Sequence, residues 1–336
     1  MHNSLLYRTA LIFLLVLFCM SPGYFFVKAA GMIPVEKFRI GELSFPGIQY
    51  VPSNRDSLSF SIPFNRVGNL ILIKAKADST EGNFVLDTGC QGLVLNITYF
   101  RHYPTIVEQG AETQGITGTS SLTTEQANIR NFSFGSMQEF NVRANMANLG
   151  AIENSKGVKV LGLIGVQFLK DCELIIDYEN NLLLFHVITK KEIKTYGHVM
   201  LADTASYHTI PFEITDNRII IKTTVAGKKL RFIIDCAAET NILDSRLPDK
   251  IFTNFSVTGK VNLVGVGNKK VEALKGNLSS FSIGNRIITD MPVIITNLEK
   301  TCFSYGGCVD GILALGNLSL QKIGFNFATN KMYIWK

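Results

Sequence analysis

Phe84-Val85-Leu86-Asp87-Thr88-Gly89 and Phe232-Ile233-Ile234-Asp235-Cys236-Ala237 are two versions of one phrase, 148 positions apart. Each is an apolar run that ends in an aspartate followed by two small residues. The same offset separates Ile62-Pro63-Phe64 from Ile210-Pro211-Phe212, and Lys74 from Lys222. Further on, Leu161-Gly162-Leu163-Ile164-Gly165 is answered by Asp310-Gly311-Ile312-Leu313-Ala314, with the offset longer by one residue. A loop absorbs such an insertion at little cost. A repeat of this length is a duplicated domain rather than a solenoid unit. Two lobes that each offer one carboxylate on a tight loop between buried strands supply what a shared two-aspartate site requires.

Between these landmarks, short runs rich in Val, Ile, Phe and Thr alternate with Gly, Asn and Asp turns, the pattern of a mainly β protein. Leu70-Ile71-Leu72-Ile73, Leu182-Leu183-Leu184-Phe185, Ile219-Ile220-Ile221 and Met332-Tyr333-Ile334-Trp335 are read as strands. The repeat predicts a first lobe over 60–188, a linker over 189–206 and a second lobe over 207–336. Residues 30–59 form an N-terminal extension without a counterpart in the repeat.

At 336 residues the chain has room for two domains with cores of their own. Hydrophobic residues make up 46% and charged residues 18%, which excludes a disordered chain. The net charge of +6 comes from scattered lysines, and no basic stripe interleaved with aromatics points to nucleic acid. Residues 1–29 read as a signal peptide: Arg8, an apolar run from Ala10 to Met20, then Ser21-Pro22-Gly23 and the small-residue pattern at Val27-Lys28-Ala29. An uncleaved membrane anchor is the competing reading. Either makes the protein exported: secreted, periplasmic or envelope-associated. In an oxidising compartment Cys302 and Cys308 are close enough in sequence to close a short loop. Cys90, Cys172 and Cys236 read as small buried residues, with a Cys90–Cys236 clamp across the aspartate loops as a redox option. Only five histidines are present, without metal-ligand spacing, so neither a metal nor an organic cofactor is expected.

Asp87-Thr88-Gly89, the later Leu163-Ile164-Gly165 and their echoes in the second half resemble the aspartic peptidases of the pepsin and retropepsin type. Duplication within one chain is pepsin-like. Short lobes, and the absence of Ser or Thr at Cys90 and Ala238, look more like retropepsins. The chain thus resembles a tandem, single-chain retropepsin, which implies two acid-protease-like β-barrel lobes related by a pseudo-twofold axis, in a monomer.

The resemblance implies Asp87 and Asp235 as catalytic acids, with Thr88, Gly89, Cys236 and Ala237 supporting their loops. Two close carboxylates share one proton; the ionised member activates a water and the other protonates the scissile carbonyl. The substrate would be an extended peptide or protein segment hydrogen-bonded as an added strand. Gly115, Ile116, Thr117 and Gly118 form the expected flap, since their glycines suit a mobile hairpin. The second lobe departs from the pattern: Thr88, Gly89 and Gly165 correspond to Cys236, Ala237 and Ala314. A thiol is a weak donor for the cross-lobe bond that the family's hydroxyl makes, and two added methyls call for mutual adjustment. Hence the alternative reading, a catalytically inactive module that binds peptide or protein on the same fold.

Overall fold

A computed structural model describes residues 59–114, 120–264, 270–299, 308–318 and 320–336. The N-terminal segment read as a signal peptide and the flap residues Gly115, Ile116, Thr117 and Gly118 therefore lie outside the described residues, as does Cys302. The mainly β reading holds, and each of the four apolar runs named above is a strand.

In the first half, strand Leu70–Ala77 turns at Asp78, whose φ is +52°, into Thr80–Leu86, its antiparallel partner. Thr80–Leu86 then runs parallel to Gly162–Ile164, which pairs antiparallel with Leu93–Asn96 on its other side. Leu93–Asn96 lies parallel to Met137–Ala147. The strands before and after Asp87 are thus clasped by one short strand, and the loop between them is forced out at its end.

The second half repeats these pairings. Arg218–Val225 folds back onto Lys228–Asp235, which is parallel to Gly311–Ala314; that strand pairs antiparallel with Asn241–Asp244, itself parallel to Met291–Thr296. Beyond these strands each half has a long hairpin: Thr105–Gln114 with Ser120–Phe134, and Phe255–Val264 with Lys270–Leu278.

Six strands join the halves in one sheet, in the order Ser59–Pro63, Leu182–Val187, Cys172–Asp177, Lys322–Asn326, Lys331–Trp335, Tyr207–Thr215. The seam between halves runs from Glu173 opposite Asn326 to Asp177 opposite Lys322. Cys172–Asp177 is buried along its whole length, with the apolar Leu174-Ile175-Ile176 between two buried acids, Glu173 and Asp177. A polar row crosses one end of the sheet. The Ser59 hydroxyl lies 2.6 Å from His186 Nδ1, His186 Nε2 meets Glu192 at 2.5 Å, and Asn326 donates to Glu173 at 2.9 Å.

The core is built on phenylalanine. Phe84 packs edge-on against Phe132 at 5.4 Å, and Phe232 packs the same way against Phe281 at 5.3 Å, all four fully buried. The rings leave no room beside them. A Cβ on Gly162 would stand 2.2 Å from the Val94 carbonyl oxygen and 2.7 Å from the Phe84 ring; one on Gly311 would stand 2.4 Å from both the Ile242 carbonyl and the Phe232 ring. The repeated glycine is therefore a packing requirement of the repeated phenylalanine. Gly162→Ala should lower stability by roughly 1–3 kcal/mol, read as a shift in the urea midpoint, whereas an unchanged midpoint would show that the first half relaxes around the methyl.

Candidate active site

Asp87 and Asp235 stand where the two clasped hairpins end, and both are 0% exposed. Each turns one carboxylate oxygen onto its own loop. Gly89 N–H donates to Asp87 Oδ1 at 2.8 Å; Ala237 and Ala238 N–H both donate to Asp235 Oδ1 at 2.8 Å. The other oxygens, Asp87 Oδ2 and Asp235 Oδ2, are buried without a hydrogen-bond partner among the described residues. The position that a Cβ would occupy on Gly89 is 2.5 Å from Asp235 Oδ2 and 3.1 Å from Asp87 Oδ1. Both carboxylates therefore come within a few Å of one point, and only a glycine leaves that point free.

Thr88 and Cys236 bind the loops to each other. The Thr88 hydroxyl donates to the Ile234 carbonyl at 3.0 Å and accepts from Cys236 N–H at 2.9 Å. In return, the Cys236 thiol donates to the Leu86 carbonyl at 3.2 Å and accepts from Thr88 N–H at 3.4 Å. The sequence marks the cysteine as a weak substitute, yet it makes both contacts that a hydroxyl would make. Its longer bonds suit a larger sulfur atom. A Cys90–Cys236 clamp is not what forms: both thiols are free, as is Cys172. Cys90 is half-buried rather than buried, and its thiol donates to the Gly92 carbonyl at 3.3 Å. Cys308 is disulfide-bonded.

The alanines are not adjusted to each other either. Ala237, fully buried, packs in the first half's cluster with Leu70, Leu72 and Val85, so its methyl fills the interface between halves. Ala314 sits in a separate cluster of the second half with Ile233 and Ile242, and its N–H donates to the Asn241 side chain at 2.9 Å. Gly165 has no such room, because a Cβ there would meet the Cys90 carbonyl and Gly92 N at 2.5 Å.

Three residues outside the sequence-derived set reach the loops from the opposite half. Asn69 Nδ2 donates to the Ala238 and Glu239 carbonyls at 3.4 Å. Lys156 forms an ion pair with Glu239. Arg218 Nε donates to the Gly89 carbonyl at 3.2 Å. Two of them left a trace in the sequence: at the repeat offset Asn69 recurs as Asn217, while Arg218 stands where the first half has Leu70.

Burial governs the electrostatics. It pushes Asp87 well above the carboxylate range, and the charge of Asp235 adds to this; the N–H groups of Gly89 and Cys90, and Arg218, work in the other direction. Burial raises Asp235 to about 6, against the Ala237 and Ala238 N–H groups and Arg218. Close carboxylates of this kind titrate as one unit. Cys90 is pushed up to about 12, first by burial and then by Asp87. Among the described residues, no group of three or more His, Cys, Asp or Glu side chains is placed to hold a metal ion.

Two outcomes are expected. Cys236→Ala leaves the Leu86 carbonyl and Thr88 N–H without their partner and should cost about 1–3 kcal/mol, while Cys236→Ser stays near wild type; equal melting temperatures for all three would show that the thiol bonds contribute nothing. The second concerns pH. Asp235 holds its proton more tightly folded than unfolded, so its contribution to stability is fully present below the ordinary value of 3.8 and is lost as pH rises through about 6. Asp235→Asn should therefore be the more stable protein at neutral pH, by on the order of 3 kcal/mol, with the difference closing near pH 4. Parallel melting curves at pH 4 and 7 with no change in the gap would refute this.

Residues 221–316 match the family model described as Aspartyl protease. No curated protein matches the chain. Among solved structures, the crystal structure of the aspartic proteinase from Irpex lacteus aligns with 83% of this chain and 97% of its own, at 11% identity and a TM-score of 0.46. Basic 7S globulin from soybean aligns with 83% of this chain and 94% of its own, at 8% identity and a TM-score of 0.42. Residues 221–316, which hold Asp235 and most of the second half, are thus similar to the aspartyl protease family.

Proposed function

We propose that the protein is an aspartic-type endopeptidase that hydrolyses peptide bonds with a water held between Asp87 and Asp235. One observation carries this reading. Two buried carboxylates, held at one point by reciprocal bonds between their loops, each keep one oxygen without a partner among the described residues. Desolvating a lone carboxylate is costly, and two together are costlier. Such an arrangement serves chemistry better than it serves stability.

The hydrogen bonds suggest the division of labour. Asp235 accepts two N–H groups at Oδ1 and so is the better stabilised anion; Asp87 holds the shared proton. Asp235 takes a proton from the water as the water oxygen bonds to the scissile carbonyl carbon. Asp87 gives its proton to the carbonyl oxygen, forming a tetrahedral diol. Asp235 then returns its proton to the amide nitrogen as the C–N bond breaks, while a diol hydroxyl passes its proton to Asp87 as the carboxyl forms. Both carboxylates finish as they began. The substrate lies extended across the paired loops, hydrogen-bonded as an added strand. We place this activity outside the cytoplasm, in a monomer delivered by the N-terminal segment.

The test is cleavage of an unstructured protein across acid to neutral pH by the wild type, Asp87→Asn and Asp235→Asn. Loss of activity by about 10²–10⁴-fold in each variant, and inhibition by a statine-type transition-state analogue, is the expected result. Absence of cleavage at every pH by a folded protein that still binds the peptide would give the fold to the binding-module reading. Activity that survives Asp235→Asn would rule out the pair.

A further inference from the structure

Arg218 opens the strand Arg218–Val225 directly after a turn in which Asp216 and Asn217 both have positive φ, +48° and +54°. Thr215 lies opposite Arg218 across that turn, so the hairpin fixes where the side chain starts. The residue is only 8% exposed, a rare state for an arginine. From there it crosses to the other half, where Nε–H donates to the Gly89 carbonyl at 3.2 Å. Gly89 is the residue whose N–H holds Asp87 Oδ1 and whose missing Cβ makes room for Asp235. Leu70, the equivalent residue of the first half, is an aliphatic side chain fully buried in that half's own cluster. Among the described residues, Arg218 thus puts a cation on one side of the duplicated site where the other side has Leu70.

We infer that Arg218 is a positioning residue for the aspartate pair, clasping the Asp87 loop through Gly89 and supplying the buried positive charge that favours a singly ionised pair. The inference deepens the peptidase reading and rests on it for its catalytic meaning. Among the described residues, the titratable groups that act on the pair are Cys90 on the Asp87 loop, Cys236 on the opposite loop, and Arg218. The thiols stay protonated, since burial pushes both up. Arg218 is the one of the three whose charge opposes burial at both carboxylates. An arginine serves here better than a lysine, because its planar guanidinium offers a rigid N–H to the carbonyl.

The experiment is a titration of the two carboxyl groups by 13C NMR in wild type, Arg218→Met and Arg218→Lys, beside the pH profile of cleavage. In Arg218→Met both titration midpoints should move to higher pH, by about one unit or more, and the acid limb of the cleavage profile should move with them. Arg218→Lys retains a charge but not the planar N–H, so its midpoints should stay nearer the wild type while kcat falls. Arg218→Gln serves as the neutral variant if the methionine protein does not fold. Unmoved midpoints in a folded neutral variant would overturn the inference and leave only a structural clasp. Because the carboxyl titration needs no turnover, moved midpoints in a protein that cuts nothing would uphold the charge role while removing the peptidase reading.

Discussion

Two carboxylates from different halves of a chain repel each other and resist burial, so a structure that brings them together needs a compensating restraint. Here the restraint is the reciprocal bonding of Thr88 and Cys236. Each side chain both donates to and accepts from the opposite loop's backbone. Four bonds in a fully buried setting offset a good part of the cost and leave the loops only one relative placement. The parallel strand pairs behind the loops, Thr80–Leu86 with Gly162–Ile164 and Lys228–Asp235 with Gly311–Ala314, keep those backbones where the side chains need them. Weakening the restraint frees the carboxylates to separate, which is the direction their charges already favour.

The second half, although it departs from the repeat at three positions, is not a decayed copy of the first. Gly89 sits where a methyl would strike Asp235, whereas Ala237 sits where a methyl fills the first half's cluster. The two positions match in sequence but face different surroundings, because each loop packs on the other half rather than on itself. The cysteine follows the same logic. A wide sulfur spans the distance from Thr88 N–H to the Leu86 carbonyl with bonds longer than oxygen would make. The departures are thus partly a fitted interface, and the degenerate look of Asp235-Cys236-Ala237 overstates the change.

The β character, the clasped aspartate loops and their pairing were legible in the sequence because all three arise from local apolar runs repeated at one offset. Gly162 and Gly311 were legible as repeats, though the reason for them, the Phe84 and Phe232 rings, emerges only from packing. The contacts between halves were not legible. Lys156 with Glu239, and Asn69 with the Ala238 and Glu239 carbonyls, join side chains of one half to the loop of the other, which no local pattern announces. Arg218 was the exception that could have been found, since a charge standing where the first half buries Leu70 asks where that charge goes. The role of Cys236 was misjudged for a simpler reason: donor strength was weighed without the geometry that lets one sulfur serve two backbone groups.

The sheet that joins the halves has a consequence for how the protein is made. Cys172–Asp177 finds its neighbour in Lys322–Asn326, a strand synthesised much later. At about 5–20 residues per second, the wait is on the order of ten seconds. During that interval a strand with an apolar centre, Leu174–Ile176, has one open edge, the kind of surface that recruits other chains. The polar row of Ser59, His186 and Glu192 lies on the strand's other flank, so it leaves that edge uncovered. The nascent first half therefore carries that edge open until the strand Lys322–Asn326 of the second half arrives to close it.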